Sequence, residues 1–210
     1  MFAPNAAAGS TLPGLTLVEE IGHRVINEYA EAIGSLSIAA SALQGGAANA
    51  ALERAADRLR EHADAHRSLL PPRTGGVLNL ADYLGGICNA YSRATLAQRG
   101  VLLHLRFVTV DPILPPRRCW LIGLVVAELI RNAARHGLRG RGGEIRVHVG
   151  REQGVLTCLV SDDGRGSADA KPGRGQGVIR ALVAELGGAV EWAFTGQGTT
   201  ALVQLPDFDQ

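Results

Sequence analysis

The chain is poor in aromatic residues, with four Phe, three Tyr and two Trp among 210 residues. So few rings argue against a base-stacking surface for nucleic acid. It also lacks an excess of charge of either sign: 21 Lys and Arg face 20 Asp and Glu. A net charge of +1 leaves no electrostatic footprint for a polyanion, so no nucleic-acid partner is expected. No apolar run reaches the roughly 20 residues that span a bilayer, so no membrane insertion is expected. The first residues also lack the basic region and apolar core of a secretory leader. Cysteine is sparse and odd in number. Cys88, Cys119 and Cys158 are scattered through apolar patterns, which reads as buried reduced thiols and a cytoplasmic location.

What the sequence does have begins after a tail. Residues 1–14 are rich in Ala, Gly, Ser and Pro and read as mobile. A long helix is expected from about Thr16 to the Gln44-Gly45-Gly46 stop. Its apolar stripe, Ile21, Val25, Ala32, Leu36, Ala39 and Leu43, is about 60° wide at about 100° per residue. A second helix is expected from Asn49 to Leu70, with Leu52, Ala55, Ala56, Leu59, Ala63, His66 and Leu70 as its stripe. Pro71-Pro72 stops it. His66, lying on that stripe, is expected to be packed and hydrogen-bonded. Two amphipathic helices joined by a short turn make an antiparallel hairpin over residues 15–73. One hairpin cannot cover both apolar faces, so a homodimer through residues 15–73, forming a four-helix bundle, is expected. His23 and Asn27 point away from the first stripe, beside Ala30 and Gly34. An uncrowded neutral imidazole there is a competent nucleophile near neutral pH.

From residue 74 the pattern becomes mixed. Helices are expected at 80–97, 117–136 and 176–186, and strands at 102–110, 144–149, 155–161, 189–194 and 200–205. In the first of these strands Leu103, Leu105 and Phe107 alternate with Leu102, His104 and Arg106. The fold class is therefore α+β: a helical hairpin forming a dimeric four-helix bundle, then a two-layer α/β sandwich over residues 74–210, with helices on one face of a mixed sheet.

Three polar stretches fall in this second part. Glu128 to Gly137 reads Glu-Leu-Ile-Arg-Asn-Ala-Ala-Arg-His-Gly, and helical spacing stacks Glu128, Asn132 and His136 near one face, with Gly137 as a stop. Val160 to Gly166 reads Val-Ser-Asp-Asp-Gly-Arg-Gly and follows an apolar strand. Gly173 to Gly177 reads Gly-Arg-Gly-Gln-Gly and precedes a helix, where phosphate oxygens bind naturally. In this order the three resemble the N, G1 and G2 boxes of the GHKL ATPase superfamily, which includes the histidine kinases. The hairpin adds to this. His23-Arg24-Val25-Ile26-Asn27 is similar to the His-Arg-x-Lys-Asn box of a histidine kinase subfamily, and Ala65 to Leu70 to its second-helix motif. Asn79 to Leu84 resembles the helix that opens its ATP-binding domain.

The resemblance implies a Bergerat-type ATP-binding fold with ATP and Mg²⁺ as cofactors. It implies that His23 accepts the phosphoryl group and that Asp162 accepts from the adenine amino group. Gly164 and Gly166 let the backbone approach the ring. Asn132 offers Mg²⁺ a neutral oxygen, suited to an ion that prefers hard oxygen ligands. Glu128, one turn earlier, is placed to orient or deprotonate a group near the γ-phosphate. Arg135 and His136 are candidate phosphate contacts, with Gly173, Gly175 and Gly177 forming the phosphate loop. Thr199 supports the adenine pocket, and Asn27 accompanies His23 as a catalytic candidate. A response regulator receiver domain is the implied partner.

Several positions depart from the family pattern. Gly-Arg-Gly-Gln replaces Gly-Leu-Gly-Leu, residues 167–172 make a very short lid, and Ile26 replaces the usual Lys. No acid follows His23, so Glu20 and Glu28 are the candidate bases, and no sensor domain is expected ahead of the hairpin. These keep an alternative open: an ATP-independent histidine phosphotransferase relaying phosphoryl groups through His23. A protein-serine kinase of the anti-sigma-factor type would explain the ATPase boxes but not the hairpin.

Overall fold

The computed structural model describes residues 13–43, 45–72, 75–108, 112–165 and 174–206. Gly166, Gly173, the lid at 167–172 and most of the N-terminal tail lie outside the described residues.

Helices α1 (Pro13–Ala42) and α2 (Ala47–Arg67) form the antiparallel hairpin. Gly45 and Gly46, with φ of 83° and 92°, supply the left-handed backbone that reverses the chain. Asn49 Nδ2 then donates to the Ala40 carbonyl at 2.8 Å and ties the turn. Small residues set the helix separation. Ala56 and Ala63 lie buried on one face of α2, whereas buried Ala65, on the other side, belongs to the core of the α/β part. A β-carbon on Gly22 would lie 2.7 Å from Leu70 Cδ2, so glycine lets α1 close on the end of the hairpin.

The contacts of Gly22 with Leu70, Tyr29 with His66 and Ala40 with Asn49 mark the side of α1 that meets α2. On a helical wheel this side is rotated by roughly 70° from the apolar stripe read in the sequence. The stripe therefore lies beside the contact. Ile21 remains 51% exposed and Leu43 39% exposed. His66 also departs from expectation: it is exposed, with its ring tilted against Tyr29 at a centroid distance of 5.4 Å.

The second part is built on a five-stranded sheet. Its elements in chain order are β1 (Leu78–Asn79), α3 (Leu80–Tyr91), β2 (Val101–Phe107), β3 (Ile113–Leu114), α4 (Pro116–Asn132), β4 (Gly143–Glu152), β5 (Val155–Asp162), α5 (Arg174–Glu185), β6 (Ala189–Thr195) and β7 (Gly198–Pro206). Strands β1 and β3 form a separate two-stranded antiparallel pair. The main sheet runs β2-β4-β5-β7-β6, with β2 parallel to β4 and the other neighbours antiparallel.

Period-two alternation fixes the faces. Ile145, Val147 and Val149 of β4, Leu156, Cys158 and Val160 of β5, and Ala201, Val203 and Leu205 of β7 are buried. Leu102, His104 and Arg106 of β2 are exposed on the other face. Helices α3, α4 and α5 share the core with the inner face through Leu84, Ile87, Ile122, Val126, Ile130, Ile179 and Val183. This is the expected two-layer α+β arrangement. Asn79 caps α3, its Oδ1 accepting from the Ala81 and Asp82 amides at 2.8 and 3.1 Å. Where α3 crosses α4, a β-carbon on Gly123 would lie 2.6 Å from Ile87 Cδ1 and 2.7 Å from Tyr83 Cε1.

All three cysteines are free and buried. Burial pushes the Cys88 and Cys158 thiols up to about 12 and Cys119 to about 11, so none is a ready thiolate. The hairpin meets the sandwich where α2 packs against α3, and buried Trp120 of α4 adds a hydrogen bond, donating its indole N–H to the Leu69 carbonyl at 2.8 Å.

Candidate functional site

The site is built around the C-terminal end of α4. This helix is apolar over most of its surface and sinks into the core from Cys119 to Ile130. Its α-helical bonding ends at Asn132. Ala133–Gly137 forms a π-turn, closed by the Leu138 amide donating to the Ala133 carbonyl at 2.9 Å. Single π-turns inside helices recur at functional sites. Gly137 was expected as a left-handed helix stop, but it does not have positive φ. The left-handed residues are Arg139 and Gly140, at 49° and 79°. Gly137 is glycine for a different reason: a β-carbon there would fall on the Asp162 carboxyl group.

Asp162 ends β5 on its inward-facing column and is 8% exposed, the one buried polar or charged residue among the described residues. Its Oδ1 accepts from the Gly164 amide at 3.0 Å and the Thr199 amide at 3.3 Å. Burial raises its pKa, since desolvation disfavours the carboxylate; the two amide bonds oppose this. Gly164 and Gly198 complete the cradle. A side chain on Gly164 would strike the Gly137 carbonyl, and one on Gly198 would strike the Asp162 carbonyl. Gly137 and Gly164 thus bring backbone against the Asp162 carboxylate, and Gly198 brings it against the Asp162 main chain. Neighbouring Asp163 faces out and pins the strand end, its Oδ1 accepting from the Glu144 amide at 2.8 Å.

A second group sits on α4 itself. Glu128 and Asn132 are half-buried and both face Gly175. A β-carbon on Gly175 would lie 2.6 Å from Glu128 Oε1 and 3.2 Å from Asn132 Oδ1. Glu128 pairs with Arg131 at 2.6 Å, and Arg131 donates to the Tyr91 hydroxyl at 3.1 Å. Arg135 and His136 lie in the π-turn and are exposed. The glycine loop reads differently from expectation. Helix α5 begins at Arg174, so Gly175 and Gly177 lie in its first turn, and a β-carbon on Gly177 would meet none of the described residues.

These residues fit a purine nucleotide with a divalent ion. Among the described residues both hydrogen bonds to the Asp162 carboxylate fall on Oδ1, which leaves Oδ2 as an acceptor for an exocyclic amino group. The Asn132 amide is a neutral oxygen donor of the kind Mg²⁺ takes alongside phosphate and water.

Comparison with known families decides the class. The histidine kinase-like ATPase domain family matches residues 96–204, and a histidine kinase family matches residues 20–95. The chain belongs to the histidine kinase family. The histidine kinase domain of the blue-light activated histidine kinase EL346 from Erythrobacter litoralis is 22% identical, over 90% of this chain and 97% of that one, with a TM-score of 0.60. The longer structure of the same protein is 26% identical over 73% of this chain and 55% of that one, with a TM-score of 0.58. A bacterial phosphotransferase is 13% identical over 93% of this chain and 98% of that one, with a TM-score of 0.63. Comparison with curated protein sequences gives no match.

The histidine kinase fold accounts for how the expected residues are distributed. Asp162, Gly164 and Thr199 form one cluster, and Glu128, Asn132 and Gly175 form another at the same end of α4. His23 and Asn27 stand apart on α1; His23 is half-buried and Asn27 exposed. Glu20, a candidate base, is held by Arg24 at 2.8 Å. Sequence reasoning missed Gly198 and the purpose of Gly137. The signal for Gly198 is its place directly before Thr199, the expected adenine-pocket residue. Arg131 lies inside the Glu128–Gly137 stretch but was passed over because helical spacing puts it off the face shared by Glu128 and Asn132.

Proposed function

We propose that the chain binds Mg·ATP, phosphorylates itself on His23 and passes the phosphoryl group to an aspartate of a response regulator receiver domain. The observation that carries this reading is the convergence of the Asp162 cradle and the Glu128–Asn132–Gly175 group on one helix end. Residues 15–73 act as the dimerisation and phosphoacceptor hairpin and residues 74–210 as the ATP-binding unit.

Mg²⁺ supplies charge neutralisation on the phosphates when bound. The protein supplies positioning, which dominates phosphoryl transfer. Asp162 orients the adenine, Asn132 holds the ion, and the first turn of α5 offers backbone N–H groups to phosphate oxygens. Glu128 orients or takes the proton of the attacking group. His23 attacks as a neutral imidazole, with Asn27 one turn away on the same helix. Arg135 and His136 present cationic or donor groups at the rim.

The test is incubation with Mg²⁺ and γ-labelled ATP beside His23→Ala. Acid-labile, alkali-stable label in the wild type and none in the variant is the expected result. Label on His23→Ala would overturn the assignment.

A second reading has one observation in its favour: the likeness to a structure titled a bacterial phosphotransferase, over nearly its whole length. In that reading the ATP site is inactive and His23 relays phosphoryl groups between receiver domains. Calorimetric titration with Mg·ATP separates the two, since a relay gives no binding heat.

A further inference from the structure

We infer that Arg131 is a positioning residue for Glu128, tying it to Tyr91 across the contact of α4 with α3. The inference rests on the reading of Glu128 as the residue that handles the proton near the γ-phosphate. Two groups meet at Arg131. One guanidinium nitrogen contacts the Glu128 carboxylate at 2.6 Å, and the other donates to the Tyr91 hydroxyl at 3.1 Å. Tyr91 is buried at the end of α3, so it is a fixed anchor.

The geometry explains why arginine stands here. A planar guanidinium holds a carboxylate and a hydroxyl at once through different nitrogens, and a lysine ammonium cannot reproduce that fork. Without Arg131 the Glu128 side chain regains its rotamers beside Gly175, which has no side chain to confine it. An exposed helix pair at three-residue spacing contributes little to stability, so the expected consequence lies in the reaction.

The experiment is a double-mutant cycle on the full chain, with the initial rate of His23 labelling as readout. Arg131→Met alone should lower the rate roughly tenfold, the scale of a misplaced catalytic group. Tyr91→Phe should reproduce part of that loss. Glu128→Gln should lower the rate as much or more, and adding Arg131→Met to Glu128→Gln should change nothing further. Calorimetric affinity of Arg131→Met for Mg·ATP should equal that of the wild type. If Arg131→Met takes its full loss on top of Glu128→Gln, or weakens Mg·ATP binding in proportion, the inference is wrong. Glu128→Gln at the wild-type rate would instead remove the role given to Glu128. Labelling of the wild type separates both results from failure of the kinase reading.

Discussion

Gly137 and Asp162 are in backbone-to-carboxylate contact, with no room for a single methyl group between them. Glycine here holds together two elements distant in the sequence: the π-turn after α4 and the end of β5. Gly137→Ala should displace the Asp162 carboxylate and weaken Mg·ATP binding by about tenfold or more, the scale of losing a hydrogen bond to a charged group. Isothermal titration calorimetry checks this. Gly86→Ala, at an exposed position of α3 where a β-carbon meets none of the described residues, is the control.

Asp162 should cost the ligand-free protein stability at neutral pH. Its native pKa is raised above its ordinary value, chiefly by burial, so between those two values the native state binds more protons than the unfolded state. Stability therefore falls as pH rises through the window above 3.8. Asp162→Asn should raise the unfolding midpoint at pH 7 and flatten that part of the profile, while abolishing nucleotide binding. Denaturant melts at a series of pH values upward from 3.8 provide the measurement.

Trp120 anchors the hairpin to the sandwich by one hydrogen bond. Trp120→Phe should cost about 1–3 kcal/mol, combining the lost hydrogen bond with the lost ring area. Amide exchange should accelerate around Leu69 and Leu70 more than in the sheet. Uniform acceleration across the whole chain would argue against a local anchor.

The uncovered stripe of α1 makes the dimer testable without touching the core. Ile21 and Leu43 are exposed in the single chain, so replacing both by Glu should alter chain stability by less than about 1 kcal/mol in total. The same pair should shift a dimer to monomer in analytical ultracentrifugation. A wild-type monomer at micromolar concentration would refute the expected assembly.

Much of the architecture was legible because it rests on periodicity. The alternation of Leu103, Leu105 and Phe107 with His104 and Arg106 fixed the faces of β2, and the apolar runs located β4, β5 and β7. What periodicity cannot carry is orientation about a helix axis. The stripe from Ile21 to Leu43 was real, but alanines and Gly22 drew α2 onto a neighbouring face. Helical spacing also could not foresee the π-turn, which takes His136 out of the four-residue step linking Glu128 and Asn132. Contacts such as Gly198 with Asp162 depend on tertiary approach and leave no local pattern.

Asp162 occupies the same inward column of β5 as Leu156, Cys158 and Val160. A strand shifted by one residue exchanges its faces. An insertion or deletion between Val155 and Val160 would therefore expel the acid to solvent and turn the greasy side chains outward in the same event. Lineages descending from this chain can trade residues around Asp162, but they cannot change the length of that strand without forfeiting fold and ligand together.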